Sequence, residues 1–167
     1  GVTAKSVSDL ANKISLMTSY DDEAVQGAEN LLLTFTRVGK DVFPQATGAI
    51  VDMSAAMGQD LQTSTIQVGK ALNDPIAGLT SLTRVGVTFT DQQKEQIKAM
   101  VASGNRMQAQ KIILTELNKE FGGSAKAVAD PFKQAQNAIE NLQEALGSAL
   151  LPTITWVINA FVSMTQG

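Results

Sequence analysis

The most constraining feature of this chain is the punctuation of the stretch from Gly69 to Ala127, where helix starts and stops follow one another at short intervals. Asn73-Asp74-Pro75 is a start signal. An aspartate side chain accepts from backbone N–H groups that a first helical turn leaves unpaired, and proline's missing N–H costs nothing at the first helical position. Ile76, Leu79 and Leu82 follow at helical spacing. Thr90-Asp91-Gln92-Gln93 has the form of a capping box, in which Thr90 bonds the backbone of Gln93 and the Gln93 side chain reaches back. Ile97, Met100 and Val101 form the buried stripe behind it, and Gly104 closes that helix. Asn105 caps a third helix, with Ala109, Ile113, Leu117 and Phe121 at four-residue steps, and Gly122-Gly123 ends it in a left-handed turn. The run from Val85 to Phe89 is the one β-like segment, too short to found a sheet.

The rest of the chain has the same grammar. Its four prolines, Pro44, Pro75, Pro131 and Pro152, all stand where a helix can begin. Val7, Leu10, Ala11, Ile14 and Met17 predict a helix over about Ser6–Ser19. The Thr18–Asp22 break supplies caps for a second, running to about Val38 with Gly39 as its stop and Val25, Ala28, Leu31, Leu32 and Phe35 on one face. Pro44 opens a helix carrying Ala46, Ala49, Ile50, Met53 and Met57, ended by Gly58. Asp60 caps another with Leu61, Thr65, Val68 and Leu72. From Pro131, the positions Phe132, Ala135, Ile139, Leu142, Leu146 and Ala149 step by three and four, a heptad seam of less than three repeats. The expected fold is therefore all-α: a bundle of six to nine helices, a fragment of a longer helical protein. Two parts are expected, residues 1–130 and residues 131–167. The start at Gly1 rather than Met fits a processed or excised piece.

Composition narrows the chemistry. Cys and His are both absent, which removes disulfides, thiolate zinc sites and every Ser-His-Asp or Cys-His mechanism. Aromatics make up 5%, so the core must be built from Ala, Leu, Ile, Val and Met, which suit helix packing. The net charge is −3. Residues 1–60 carry eight acids and four bases, and residues 90–133 five acids and seven bases. Neither is a basic footprint for nucleic acid, and no specific DNA binding is expected.

The remaining candidates for chemistry are carboxylates. Asp21-Asp22-Glu23 lacks the glycine and the bidentate acid of a calcium loop, and reads as acids in a first helical turn, where the helix dipole favours them. Glu116 with Glu120, and Glu140 with Glu144, lie one turn apart on single helices, whereas a glycoside hydrolase needs two carboxyls across a cleft. Asp130-Pro131 reads as a cap. Met53, Met57, Met100 and Met107 sit at stripe positions and read as core. No catalytic, cofactor or metal residue is assigned. From Ala145 to Gly167 there is no charge. Pro152, Asn159 and several hydroxyl residues interrupt this region, leaving it short of the ~20 residues a membrane span needs. Its apolar residues, Leu151, Ile154, Trp156, Val157 and Phe161 among them, are candidate contacts for a partner, with membrane contact the lesser reading.

From about Ser19 to Pro152 the chain resembles the core region of phage tail tape measure proteins, of the siphophage and prophage type. The most specific residues are Gly69-Lys70-Ala71-Leu72-Asn73-Asp74-Pro75, then Gly78-Leu79, Leu82, Arg84-Val85-Gly86-Val87 and Phe89-Thr90. Gln108-Ala109-Gln110, Ile113-Leu114, Glu116-Leu117 and Phe121-Gly122-Gly123-Ser124-Ala125 follow. The resemblance implies a structural virion protein that sets tail length, lies in the lumen of the tail tube, and leaves ahead of the DNA at ejection. It implies tail tube protein, tail assembly chaperones and other copies of the chain as partners, in the host cytoplasm during assembly and then in the virion tail. It implies no catalytic residue and no cofactor. The alternative from another class is a membrane-active or lytic helical domain that aids DNA passage through the host envelope.

Overall fold

The structure, a computed structural model, describes residues 1–146 and 162–164, and all of its regular structure is helical. Nine helices lie between Ala4 and Leu146, with no strand among the described residues: α1 Ala4–Met17, α2 Asp22–Leu32, α3 Phe43–Met57, α4 Leu61–Asn73, α5 Leu79–Thr83, α6 Asp91–Ala102, α7 Arg106–Phe121, α8 Ser124–Ala127 and α9 Pro131–Leu146. The expected all-α bundle is what forms.

Local chemistry explains most boundaries. Asp21, Asp60 and Thr90 accept from the backbone N–H three residues on, at 2.7, 2.7 and 3.1 Å. Gln93 completes the box by accepting from the Thr90 N–H at 2.7 Å. Gly58, Gly86, Gly104 and Gly123 adopt left-handed backbone. At Gly86 the bonds Val87 N–H to Leu82 (3.1 Å) and Gly86 N–H to Thr83 (3.1 Å) form a Schellman closure, which a side chain at Gly86 would strain.

Several expectations are corrected. α1 starts at Ala4 because Thr3 and Ser6 form a capping box of their own. α2 stops at Leu32, not Val38. Its last carbonyls are taken up by tight turns through Thr34 and Phe35, and the Thr34 hydroxyl donates to Leu31 O at 2.7 Å. Pro75 does not open a regular helix: residues 75–78 form a turn and α5 begins at Leu79. The Asn105 side chain makes no cap bond to α7 and donates instead to Ser103 Oγ at 3.3 Å. Of the β-like run, Val85 and Gly86 belong to the turn that closes α5, and residues 87–89 pair with nothing as a strand; Val87 and Phe89 turn inward into the core. Of the Gly122-Gly123 pair, only Gly123 is left-handed. Ile76 and Met107 are largely exposed and Met57 lies at the rim, so only Met53 of the stripe methionines is fully buried. At the heptad seam, Leu142 and Leu146 are 51% and 52% exposed, so those seam positions are not packed. Ala149 lies outside the described residues.

The main core lies where α2, α3, α4 and α7 meet. It includes Leu32, Ile50, Met53, Val68, Leu72, Ile113, Leu114 and Leu117, joined by Val87 and Phe89 from the segment after α5. Each such large apolar side chain contributes roughly 1.5–3 kcal/mol on burial. α6 packs on α7, α8 on α3, α1 on α2, and α9 on α1.

Two glycines inside this framework differ in their surroundings. A Cβ at Gly78 would run into the backbone carbonyls of Lys70 and Asp74, whereas one at Gly48, inside α3, would meet no atom. Gly78→Ala should therefore destabilise by about 1–3 kcal/mol, while Gly48→Ala should stabilise by roughly 0.5–1 kcal/mol through helix propensity. Urea midpoints of the two variants against the parent check both signs.

Candidate functional site

The residues singled out between Gly69 and Phe89 gather into one structural junction. Gly69 lies on α4 directly beneath the Phe35 ring, leaving no space for a Cβ. Ala71 and Leu72 are fully buried. Asn73, the last residue of α4, accepts from Arg37 N–H through its Oδ1 at 3.1 Å. Asp74 Oδ1 accepts from Ile76 N–H and Ala77 N–H, both at 3.1 Å, and Asp74 O accepts from Gly78 N–H at 2.7 Å. The turn so formed buries Pro75 and holds Ile76 outward. Ser81 Oγ ties α5 back onto α4, donating to Gln67 O at 2.8 Å. Gly86 closes α5, and Val87 and Phe89 anchor the descending chain.

Gln110 binds this junction together, and its role was not legible from capping rules. It is 2% exposed, and its side-chain amide donates to Arg37 O and Leu72 O, each at 2.8 Å. One side chain thus joins α7, the end of α4 and the segment after α2. The available signal was a polar residue in step with Ile113, Leu114 and Leu117 on a buried helical face.

Gly122 and Gly123 belong to a second junction. A Cβ at Gly122 would overlap the Asn118 carbonyl. Gly123 N–H and Ala125 N–H donate to Asp52 of α3 at 3.2 and 3.0 Å, so the short α8 is capped by a distant helix. Asp52 also adds to burial in raising the Tyr20 hydroxyl above its ordinary value. Asp130 caps α9 as expected, accepting from Phe132 N–H at 2.9 Å, while its own N–H donates to Ser19 Oγ at 2.8 Å. Leu151, Ile154, Trp156, Val157 and Phe161 lie outside the described residues.

Apart from the buried Glu29, the carboxylates singled out by the sequence are placed as parts of helix surfaces and caps. Asp60 is held low by the backbone and side-chain bonds from Thr63. Glu120 is raised by burial and then by Glu116 beside it. Glu144 is raised by burial, then by Asp22, Glu23 and Glu140. Among the described residues no group of three or more acidic side chains is arranged to hold a metal ion, and no helix is long and apolar enough to cross a membrane.

Two surface hollows adjoin the junction. One, of about 300 Å³, lies between the 75–83 segment and α6, with Ile76, Leu79 and Ile97 as its apolar lining and Lys94 and Lys98 at its edge. The other, of about 270 Å³, has Arg37 and Arg106 with Asp41 and Gln110, so its cations are partly balanced by an acid.

Comparison with protein-family models, with curated proteins and with solved structures finds no match.

Replacing Gln110 by Met keeps the volume and removes the donor, leaving two buried carbonyls unpaired. Gln110→Met should destabilise by about 1–3 kcal/mol while retaining the helical circular dichroism spectrum. Loss of helix, or an unchanged denaturation midpoint, would contradict the clamp.

Proposed function

We propose that this chain is an architectural segment of a phage tail tape measure protein, acting by occupying length inside the tail tube. The observation that carries the reading is where the resembling residues sit. Gly69 admits Phe35, Asp74 and Gly78 close a turn, Gly86 and Gly123 take left-handed backbone, and Val87 and Phe89 fill the core. Every one of them builds shape.

The partners proposed are tail tube protein, tail assembly chaperones and further copies of the chain. Exposed Ile76 beside Leu79, Lys94 and Lys98 offers an apolar surface with a basic edge. Leu142 and Leu146 add apolar surface at the end of α9. α9 meets α1 through its opposite, polar side: Asn137 donates to Ser15 O (3.2 Å) and Tyr20 O (3.1 Å), and Asn141 donates to Ser15 Oγ (2.9 Å). That attachment leaves the Leu142 and Leu146 side of α9 available to another protein.

The decisive experiment is genetic. A helix advances ~1.5 Å per residue, so a fully extended helical segment of this length would account for on the order of 250 Å of tube, and a folded bundle for less. Duplicating the segment in frame in the parent phage should lengthen the tail measured by electron microscopy. Virions with duplicated segments and unchanged tail length would remove the ruler role.

A further inference from the structure

Glu29 is a buried carboxyl that neither the junction nor the caps explain. It lies on α2 in step with Val25 and Leu32, is 0% exposed, and neither carboxylate oxygen has a hydrogen-bond partner. α1, α3 and α4 pack against α2. The charged side chains on those helices are Lys5, Asp9 and Lys13 on α1, Asp52 on α3 and Lys70 on α4, with Asp22 and Glu23 on α2 itself. None neutralises Glu29. Lys5 pairs with Asp9 at the surface, Lys13 and Lys70 are exposed, and Asp52 is engaged with the N–H groups of Gly123 and Ala125. Asp22, two turns earlier on α2, is a like charge. A carboxyl so placed is tolerated with its proton and strongly disfavoured without it.

We propose that Glu29 makes α2 a pH-sensitive clamp: protonated, it lets α2 seat against α3 and α4; deprotonated, it drives a local opening of α2 together with α1 and the α9 docked on α1. The path for that opening is visible. A groove of about 390 Å³ runs between α2 and α4, along Ala24, Gly27, Ala28, Leu31, Leu61 and Gln62. α1 contributes Val7 to the main core and otherwise packs with Val25, Val51 and Ala125 in a smaller cluster. α9 is joined to α1 and its following turn by the hydrogen bonds of two asparagines.

Burial raises the Glu29 carboxyl from its ordinary 4.5 to about 7. Below the ordinary value, closed and opened forms are both protonated and the clamp has its full strength. As pH rises from there towards about 7, the opened form ionises first and opening becomes steadily easier. Above that value the loss is complete. The opening constant should rise on the order of a hundredfold across the window.

Native-state hydrogen exchange on the full chain, corrected for intrinsic rates, tests this between pH about 5 and about 8. The expected result is a loss of protection on the order of a hundredfold for α1 and α2 amides, with α6 and α7 amides retaining theirs. Glu29→Gln should keep the protection seen at low pH and abolish its pH dependence. Three results would overturn the proposal: a flat wild-type profile, a slope that survives Glu29→Gln, or an equal loss in α6 and α7. Should the variant not fold, carbon NMR titration of the wild-type Glu29 carboxyl decides instead. A midpoint near neutrality supports the clamp, and a midpoint in the ordinary carboxylate range rejects it.

Discussion

The carbonyl oxygens of Arg37 and Leu72 converge on the side-chain amide of Gln110, and the rest of the bundle is arranged around that meeting. Helix ends leave carbonyls without intrahelical partners, and such groups are costly to bury. At the end of α4 the Lys70 carbonyl is served by Asp74 N–H, but Leu72 O faces the interior. Serving it from α7 fixes where α7 crosses α4. The same amide holds the Arg37 carbonyl, and so sets the path of the chain from α2 into α3. Close contact at Gly69, where Phe35 lies against the α4 backbone, depends on that path.

With few aromatics, the core is assembled from aliphatic side chains, which impose little directional preference of their own. Orientation comes from polar bonds between distant segments: Gln110 to Arg37 and Leu72, Asp52 to Gly123 and Ala125, Asn137 to Ser15 and Tyr20. Each crosses a gap in sequence that apolar contact alone would leave adjustable. Glu29 departs from this pattern because it is buried without such a bond, which marks α2 as the helix whose seating depends on protonation.

These features favour a protein whose work is to have a shape and to join with others. The glycines, caps and turns most specific to the resemblance occupy points of close packing, and the acids other than Glu29 lie in first turns, caps and helix surfaces. Among the apolar residues left outward are Ile76, on the turn after α4, and Leu142 and Leu146 at the end of α9.

Local rules made much of the helical outline readable from the chain alone. The caps at Asp21, Asp60 and Thr90 and the stops at Gly58 and Gly104 act within about one turn, so the residues that decide them are sequence neighbours. The apolar stripes likewise identified Ile50, Met53, Val68, Leu72, Ile113 and Leu117 as interior. What distance along the chain conceals was decided by packing. α2 stops at Leu32 as the chain turns to set Phe35 over Gly69, thirty-four residues away. The β-like run finds no strand partner, because Val85 and Gly86 close α5 and Val87 and Phe89 are drawn into a helical core. Gln110 and Glu29 both stand in step with buried apolar residues, a mark that sequence can display. Only the tertiary structure, by placing two carbonyls beside one and no partner beside the other, makes Gln110 a clamp and Glu29 an uncompensated acid.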